Sequence, residues 1–173
     1  ANPDITASID PFRDEFKKSV DKTLRLTMSM SGHSMMGGMM HETSSDGIEW
    51  EDTMGSMNSM MSGMTQWEIV DEASGKKNMN IHWQFKQGDQ VKVKIINDDK
   101  AMHPMQHPVH LHGQRFLVLS QNGKQNTNLV WKDTVLVPAG QTVEILVDMS
   151  NPGTWMLHCH ISEHAENGMM MGF

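Results

Sequence analysis

With 173 residues the chain is long enough for one domain and a sizeable core, and it has no apolar run near the ~20 residues that span a bilayer. A net charge of -7 argues against nucleic acid as a partner. One cysteine excludes an internal disulfide and leaves the redox compartment open, while 19 methionines and no tyrosine are more than an ordinary core needs.

Residues 1–22 read as an N-terminal arm. Asp10-Pro11 is a helix start, with Asp as N-cap and Pro in the first helical position. Phe12 and Phe16 follow at i,i+4, so a short helix can lay both rings on the domain. A flexible linker is the competing reading. No secretory signal is visible and the chain starts at Ala1, as expected of a mature or excised piece.

Residues 23–30 alternate in polarity and predict a first strand. A methionine-rich insertion follows at about 31–64, where methionines lie among Gly, Ser, His33 and His41. Few residues there can build a core, so a mobile insertion is expected. Soft thioethers select Cu(I), which makes Met35, Met36, Met39, Met40, Met57, Met60, Met61 and Met64 candidate cuprous sites. The last four have helical spacing, which equally suits packing.

Strands are then expected at 67–70, 78–85, 90–96, 115–120, 134–137, 142–148 and 153–160, separated by Gly and Pro turns. In 78–85, Met79, Ile81, Trp83 and Phe85 would share one face and His82 would fall on the other. Many short strands at regular spacing predict an antiparallel sandwich or barrel.

The chemistry concentrates in residues 158–169, His-Cys-His-Ile-Ser-Glu-His-Ala-Glu-Asn-Gly-Met. A type 1 copper site takes a thiolate, two imidazoles and a long, weak thioether contact. Cys159, His164 and Met169 supply three of the four, and residues 107–113, His-Pro-Val-His-Leu-His-Gly, offer the second imidazole. Zinc is the bland alternative, but it favours paired cysteines, and there is one. On a strand, successive side chains face opposite ways. His158 and His160 would therefore share one face with Cys159 on the other, and His110 and His112 have the same two-residue spacing. Four imidazoles can therefore converge on one side while a mononuclear site sits on the other.

The two motifs together resemble those of the last domain of a multicopper oxidase, the group of laccases and bacterial copper-tolerance oxidases, over roughly residues 23–173. The resemblance implies an all-β Greek-key cupredoxin domain, a sandwich or barrel carrying the methionine-rich insertion. It implies His107 and His164 as type 1 imidazoles, Cys159 as the thiolate and Met169 as the axial ligand. His110 would serve the type 2 copper, and His112, His158 and His160 the type 3 pair. His103-Pro104 echoes His107-Pro108, but the HPxHxHG spacing selects His107 and leaves His103 in a loop. Two positions depart from the pattern. Gln114 stands where relatives often have His, and Ala165 stands where many have a proton-passing Glu, with Glu163 and Glu166 nearby.

The function so implied is electron transfer. A reducing substrate, a phenol or Cu(I), would give up electrons at Cys159, His107 and His164, with the edge of either imidazole as the port. Cys159 would pass them to His158 and His160 of a trinuclear cluster that reduces dioxygen to water. This chain holds half of such a cluster. The rest would come from the other domains of an oxidase or from a second copy of the chain, and dioxygen would be a partner only once the cluster is complete. Alone, the chain would have little or no oxidase activity. A stand-alone single-domain electron-transfer protein and a methionine-rich copper-tolerance module are the alternatives. The family implies a periplasmic or secreted location.

Overall fold

The structure is a computed structural model and describes residues 2–30, 46–48, 65–101 and 104–173. The methionines proposed as cuprous sites, together with His33, His41 and His103, lie outside the described residues.

In chain order the strands are β1 (Lys22–Met30), β2 (Thr65–Asp71), β3 (Gln90–Asn97), β4 (His107–Leu111), β5 (Arg115–Gln121) and β6 (Lys124–Gln125). They continue with β7 (Trp131–Lys132), β8 (Thr134–Val137), β9 (Thr142–Asp148), β10 (Met156–Cys159) and β11 (Met170–Gly172). One sheet runs β2-β1-β3-β9-β5-β6, with β7 against β5, and the other runs β11-β10-β4-β8. The two inner faces enclose the main core, where Leu24, Leu26, Val93, Ile95, Phe116 and Ile145 of the first sheet meet Val109, Leu111, Leu157 and Met171 of the second. Alternation decides which side chains these are: in β1, Leu24, Leu26 and Met28 point inward between half-exposed neighbours.

Strand β5 reads as a continuous apolar run because both its faces are covered. Phe116 and Val118 face the main core, while Leu117 and Leu119 face a second one with Ile9 and Leu146. The N-terminal arm closes that second core. Its helix α1 (Pro3–Ile9) starts after Asn2, whose side chain accepts from the Asp4 N–H at 2.9 Å. A 3₁₀ helix, Asp10–Lys17, follows without a side-chain cap. The helix expected to start at Asp10 is present as this 3₁₀ helix with Pro11 in its first turn, but Asp10 does not cap it and instead pairs with Arg13 at 2.7 Å. Phe12 packs edge-on against Trp131 at 5.0 Å, and the Arg115 guanidinium lies over that indole at 4.1 Å. The arm is docked on the sheet through Phe12 and Phe16.

Three local expectations are corrected. Residues 78–85 form a short 3₁₀ turn at Asn78–Asn80 and a single bridge from His82 to Gly172, not a strand. Asn78 is the cause: it adopts φ 51°, and its side chain takes the Ile69 N–H and the Trp67 carbonyl. Met79 is consequently exposed while Ile81 and Trp83 are buried. Second, β1 and β3 pair in parallel, so the first sheet is mixed rather than wholly antiparallel. Third, the strand expected at 153–160 is ordered as β10 only from Met156 to Cys159, since Gly153 takes φ 145°. A short helix, α2 (Ser162–Glu166), follows it.

Strands β1 and β2 pair out to Met30 and Thr65. The insertion between them therefore leaves and rejoins the sheet at one edge. No helix among the described residues is long and apolar enough to cross a membrane.

Candidate metal centre

Neighbouring strands β4 and β10 carry the two motifs, paired antiparallel with His158 opposite His110 and Cys159 opposite Val109. Alternation sorts their side chains by face. His107, Val109 and Leu111 of β4 are buried, as are Leu157 and Cys159 of β10. His110, His112, His158 and His160 fall on the opposite, more open side.

On the inner side three donors converge. The Nδ1 atoms of His107 and His164 are 3.1 Å apart, and the Cys159 Sγ lies 3.6 Å from the first and 3.5 Å from the second. A point equidistant from those three atoms lies about 2 Å from each, close to the length of a metal–nitrogen bond. Among the described residues this is the set of His, Cys and acidic side chains compact enough to hold an ion. Two imidazoles and one thiolate in a trigonal array are the donor set of a type 1 copper site.

Local folding explains how residues 159 and 164 meet. Helix α2 turns the chain back at once, with the Ile161 carbonyl accepting from the His164 and Ala165 amides at 3.1 Å. Met169 is then tied to both ligands through its backbone: its N–H donates to the His164 carbonyl at 2.9 Å, and its carbonyl accepts from the Cys159 N–H at 3.1 Å. Its side chain is fully buried.

Burial sets the electrostatics. It pushes the Cys159 thiol up to about 12, because an anionic sulfur there has lost water, although a backbone hydrogen bond near Ile161 opposes this. Burial lowers His164 to about 4. His107 is held well below its usual value, first by burial and then by its imidazole neighbour His164. Both rings are therefore neutral at pH 7 and present lone pairs. A cation must displace the thiol proton, which a metal does and a salt bridge does not. Neither ring presents an edge to solvent, since His107 is 1% and His164 0% exposed. Trp67 covers both, stacked on His164 and edge-on to His107.

The outer face is organised differently. His110, His112, His158 and His160 form a cluster with neighbouring ring centroids 4.7–5.7 Å apart. Only one contact is close, His112 Nε2 to His158 Nε2 at 2.9 Å. His158 Nδ1 faces the Cys159 carbonyl at 2.8 Å, so this nitrogen carries the proton and leaves Nε2 as the lone pair. His110 Nδ1 is likewise held by the Asp133 carbonyl at 3.1 Å and the Thr134 hydroxyl at 2.9 Å. Burial lowers the His110 pKa. The four rings do not enclose one ion. They line an open wall.

Trp67, Asn78, Asp133 and Thr134 touch or support the imidazoles without belonging to either motif. Trp67 opens a predicted strand beside a low-complexity stretch and carries no ligand chemistry, so no spacing signal marks it. Gln114 is a structural residue here: its amide brackets Asn151, donating to the carbonyl at 2.6 Å and accepting from the N–H at 3.2 Å. Glu163 and Glu166 are exposed, and Ala165 lies between His164 and Glu166.

A family model described as multicopper oxidase matches residues 50–173. A multicopper oxidase of Staphylococcus aureus is 44% identical over 79 residues, covering 44% of this chain and 18% of that protein. Among solved structures, a multicopper oxidase from Pediococcus acidilactici is 31% identical with a TM-score of 0.51, covering 60% of this chain and 22% of that one. A multicopper oxidase from Campylobacter jejuni, described as a metallo-oxidase, is 25% identical with a TM-score of 0.56, covering 90% of this chain and 30% of that one. The chain thus spans less than a fifth of the length of the curated relative and under a third of each solved structure.

Proposed function

Because this chain belongs to the multicopper oxidase family, whose cofactor is copper, we propose that it is the laccase-like electron-transfer domain of a larger oxidase, at that oxidase's C-terminal end. The observation that carries the proposal is the buried triangle of His107, His164 and Cys159. Copper held there would supply one-electron redox chemistry, and the buried Met169 would offer it a soft thioether. The protein contributes geometry, a dry shell and access.

The residues divide the work by strand face. His107 and His164 stay neutral because they are buried, and Cys159 ionises only by giving its proton to solvent as the metal enters. On the other face, His158 and His160 flank Cys159 in sequence, so a few backbone bonds join the two sides. The His158 ring also returns to the Cys159 carbonyl at 2.8 Å, which shortens the path. With copper bound, this bridge would be the route by which electrons leave the inner site. His110 would serve the type 2 position, and His112, His158 and His160 the type 3 pair. The rings line a wall rather than a cage, so the other half of a trinuclear cluster comes from other domains of the oxidase or a second copy. Dioxygen binds only when that half is present.

The reductant is a phenol or Cu(I). The cuprous reading is supported by the thioether chemistry of the insertion and by its return to the sheet at Thr65, two residues before Trp67. The same reading places the protein in the periplasm or outside the cell, which fractionation checks.

Copper titration of the purified chain tests the proposal. It predicts an intense thiolate-to-copper absorption that saturates at one copper per chain, and negligible steady-state phenol oxidation. Sustained oxidation with dioxygen by the chain in monomeric form would contradict it, as would a copper complex without that absorption.

A further inference from the structure

A metal-bound histidine usually has its second ring nitrogen held by a carboxylate, a carbonyl or water, which fixes the plane of the ring. His164 lacks this support. Its Nδ1 faces Cys159 and His107, while its Nε2 is buried with no hydrogen-bond partner among the described residues. What contacts the ring instead is an indole. Trp67 lies face to face with His164, centroids 3.8 Å apart and planes 28° apart, and meets His107 edge-on at 5.4 Å. It is 3% exposed, so it also stands between the ligand rings and water.

The backbone of Trp67 is clamped on both sides. Its N–H donates to the Asn167 carbonyl at 3.0 Å, within the loop joining His164 to Met169. Its carbonyl accepts from the Asn78 side-chain amide at 3.1 Å, and the other end of that amide accepts from the Ile69 N–H at 2.7 Å. Gly168 completes the clamp with φ 109°: a Cβ there would lie 3.0 Å from Asn78 Nδ2 and 3.2 Å from the Trp67 carbonyl. Strand β2 is thereby locked to the ligand loop, and the side chain at the lock is the indole on His164.

We infer that Trp67 is a positioning residue of the copper centre: its stacked face orients His164 in place of the missing hydrogen bond and keeps water from the ring. A dry shell disfavours the more highly charged oxidised ion, so Trp67 raises the reduction potential of copper held at residues 107, 159 and 164. The inference rests on the copper reading above and adds to it a residue outside the ligand motifs.

The experiment uses the full chain loaded with copper, comparing the parent with W67L, W67F and N78A by spectroelectrochemistry on the thiolate-to-copper band and by EPR. W67L is expected to shift the balance about tenfold toward oxidised copper at a fixed solution potential, a fall of ~59 mV for one electron, with an altered EPR spectrum. W67F keeps a ring on His164 and recovers at least half of that shift. N78A leaves the indole but frees its strand, and lowers the potential by a smaller amount. A parental potential and EPR spectrum in W67L, or W67F falling as far as W67L, would overturn the inference. If W67L does not fold, N78A decides, and an unchanged potential there overturns it as well. A parent without the thiolate band defeats both readings, whereas a normal band indifferent to residue 67 defeats this one alone.

Discussion

Strands β4 and β10 each carry two chemistries, one per face, and the faces differ in kind. Inward, three donors lie 3.1–3.6 Å apart in a buried interior. Outward, four imidazoles line a half-open wall with centroids 4.7–5.7 Å apart. The same two-residue period sorts the strand residues of both, and α2 adds His164 to the inner set. The difference comes from what covers them: Trp67, α2 and the core close the inner site, while the described residues leave the outer one open. The covered triangle can hold an ion by itself, whereas the open wall encloses none.

The largest way to break that comparison is Cys159→Ser. It is expected to abolish the thiolate-to-copper absorption completely while the outer wall still takes up metal, seen as copper bound without colour. Loss of all copper would show that the faces are not independent.

Acid comes next. In the unfolded chain both inner imidazoles titrate near 6.5, but burial holds His164 at about 4 and His107 well below its usual value. Between those limits the unfolded chain binds more protons, so the folded apoprotein loses stability as pH falls from 6.5 toward 4. The slope is about 1.4 kcal/mol per pH unit for each group. Cys159 acts at the other end, its stabilisation fading as pH rises from 9.0 toward about 12. Urea unfolding of the metal-free chain from pH 7.5 down to 5 checks the acid limb, and a flat profile would contradict the buried neutral imidazoles.

His158→Ala sharpens the comparison from the outer side. It removes the 2.9 Å partner of His112, and metal uptake on that wall should weaken at least tenfold. The colour of the inner site should stay, because the Cys159 side chain faces away. A bleached band would mean that the wall supports the triangle.

The smallest effect is expected from Thr134→Val. It takes one of two acceptors from His110 Nδ1 and leaves the Asp133 carbonyl. Outer-wall affinity should fall tenfold or less, with folding stability changed by about 1 kcal/mol. Isothermal titration and thermal melts separate the two.

The sheet strands were legible because a period of two survives in β1 and β3, while β5, β8 and β9 stand out as short apolar runs between Gly and Pro turns. The ligands were legible because thiolate, imidazole and thioether are chemically distinctive at any position. What escaped depends on long-range geometry. The apolar alternation of residues 78–85 is real, since Ile81 and Trp83 are buried, yet the Asn78 side chain occupies the backbone groups a strand would pair. Helix α2 has five residues, too few to show a period. The parallel pairing of β1 with β3 joins segments more than sixty residues apart. Trp67 reads as an ordinary strand aromatic until His164 is folded onto it.

X-ray absorption at the copper edge tests the central claim most directly. With one equivalent of copper on the purified chain, the account predicts a first shell of two nitrogens and one short sulfur bond, the sulfur lost in Cys159→Ser. A first shell of nitrogen and oxygen alone, unchanged by that substitution, would contradict it.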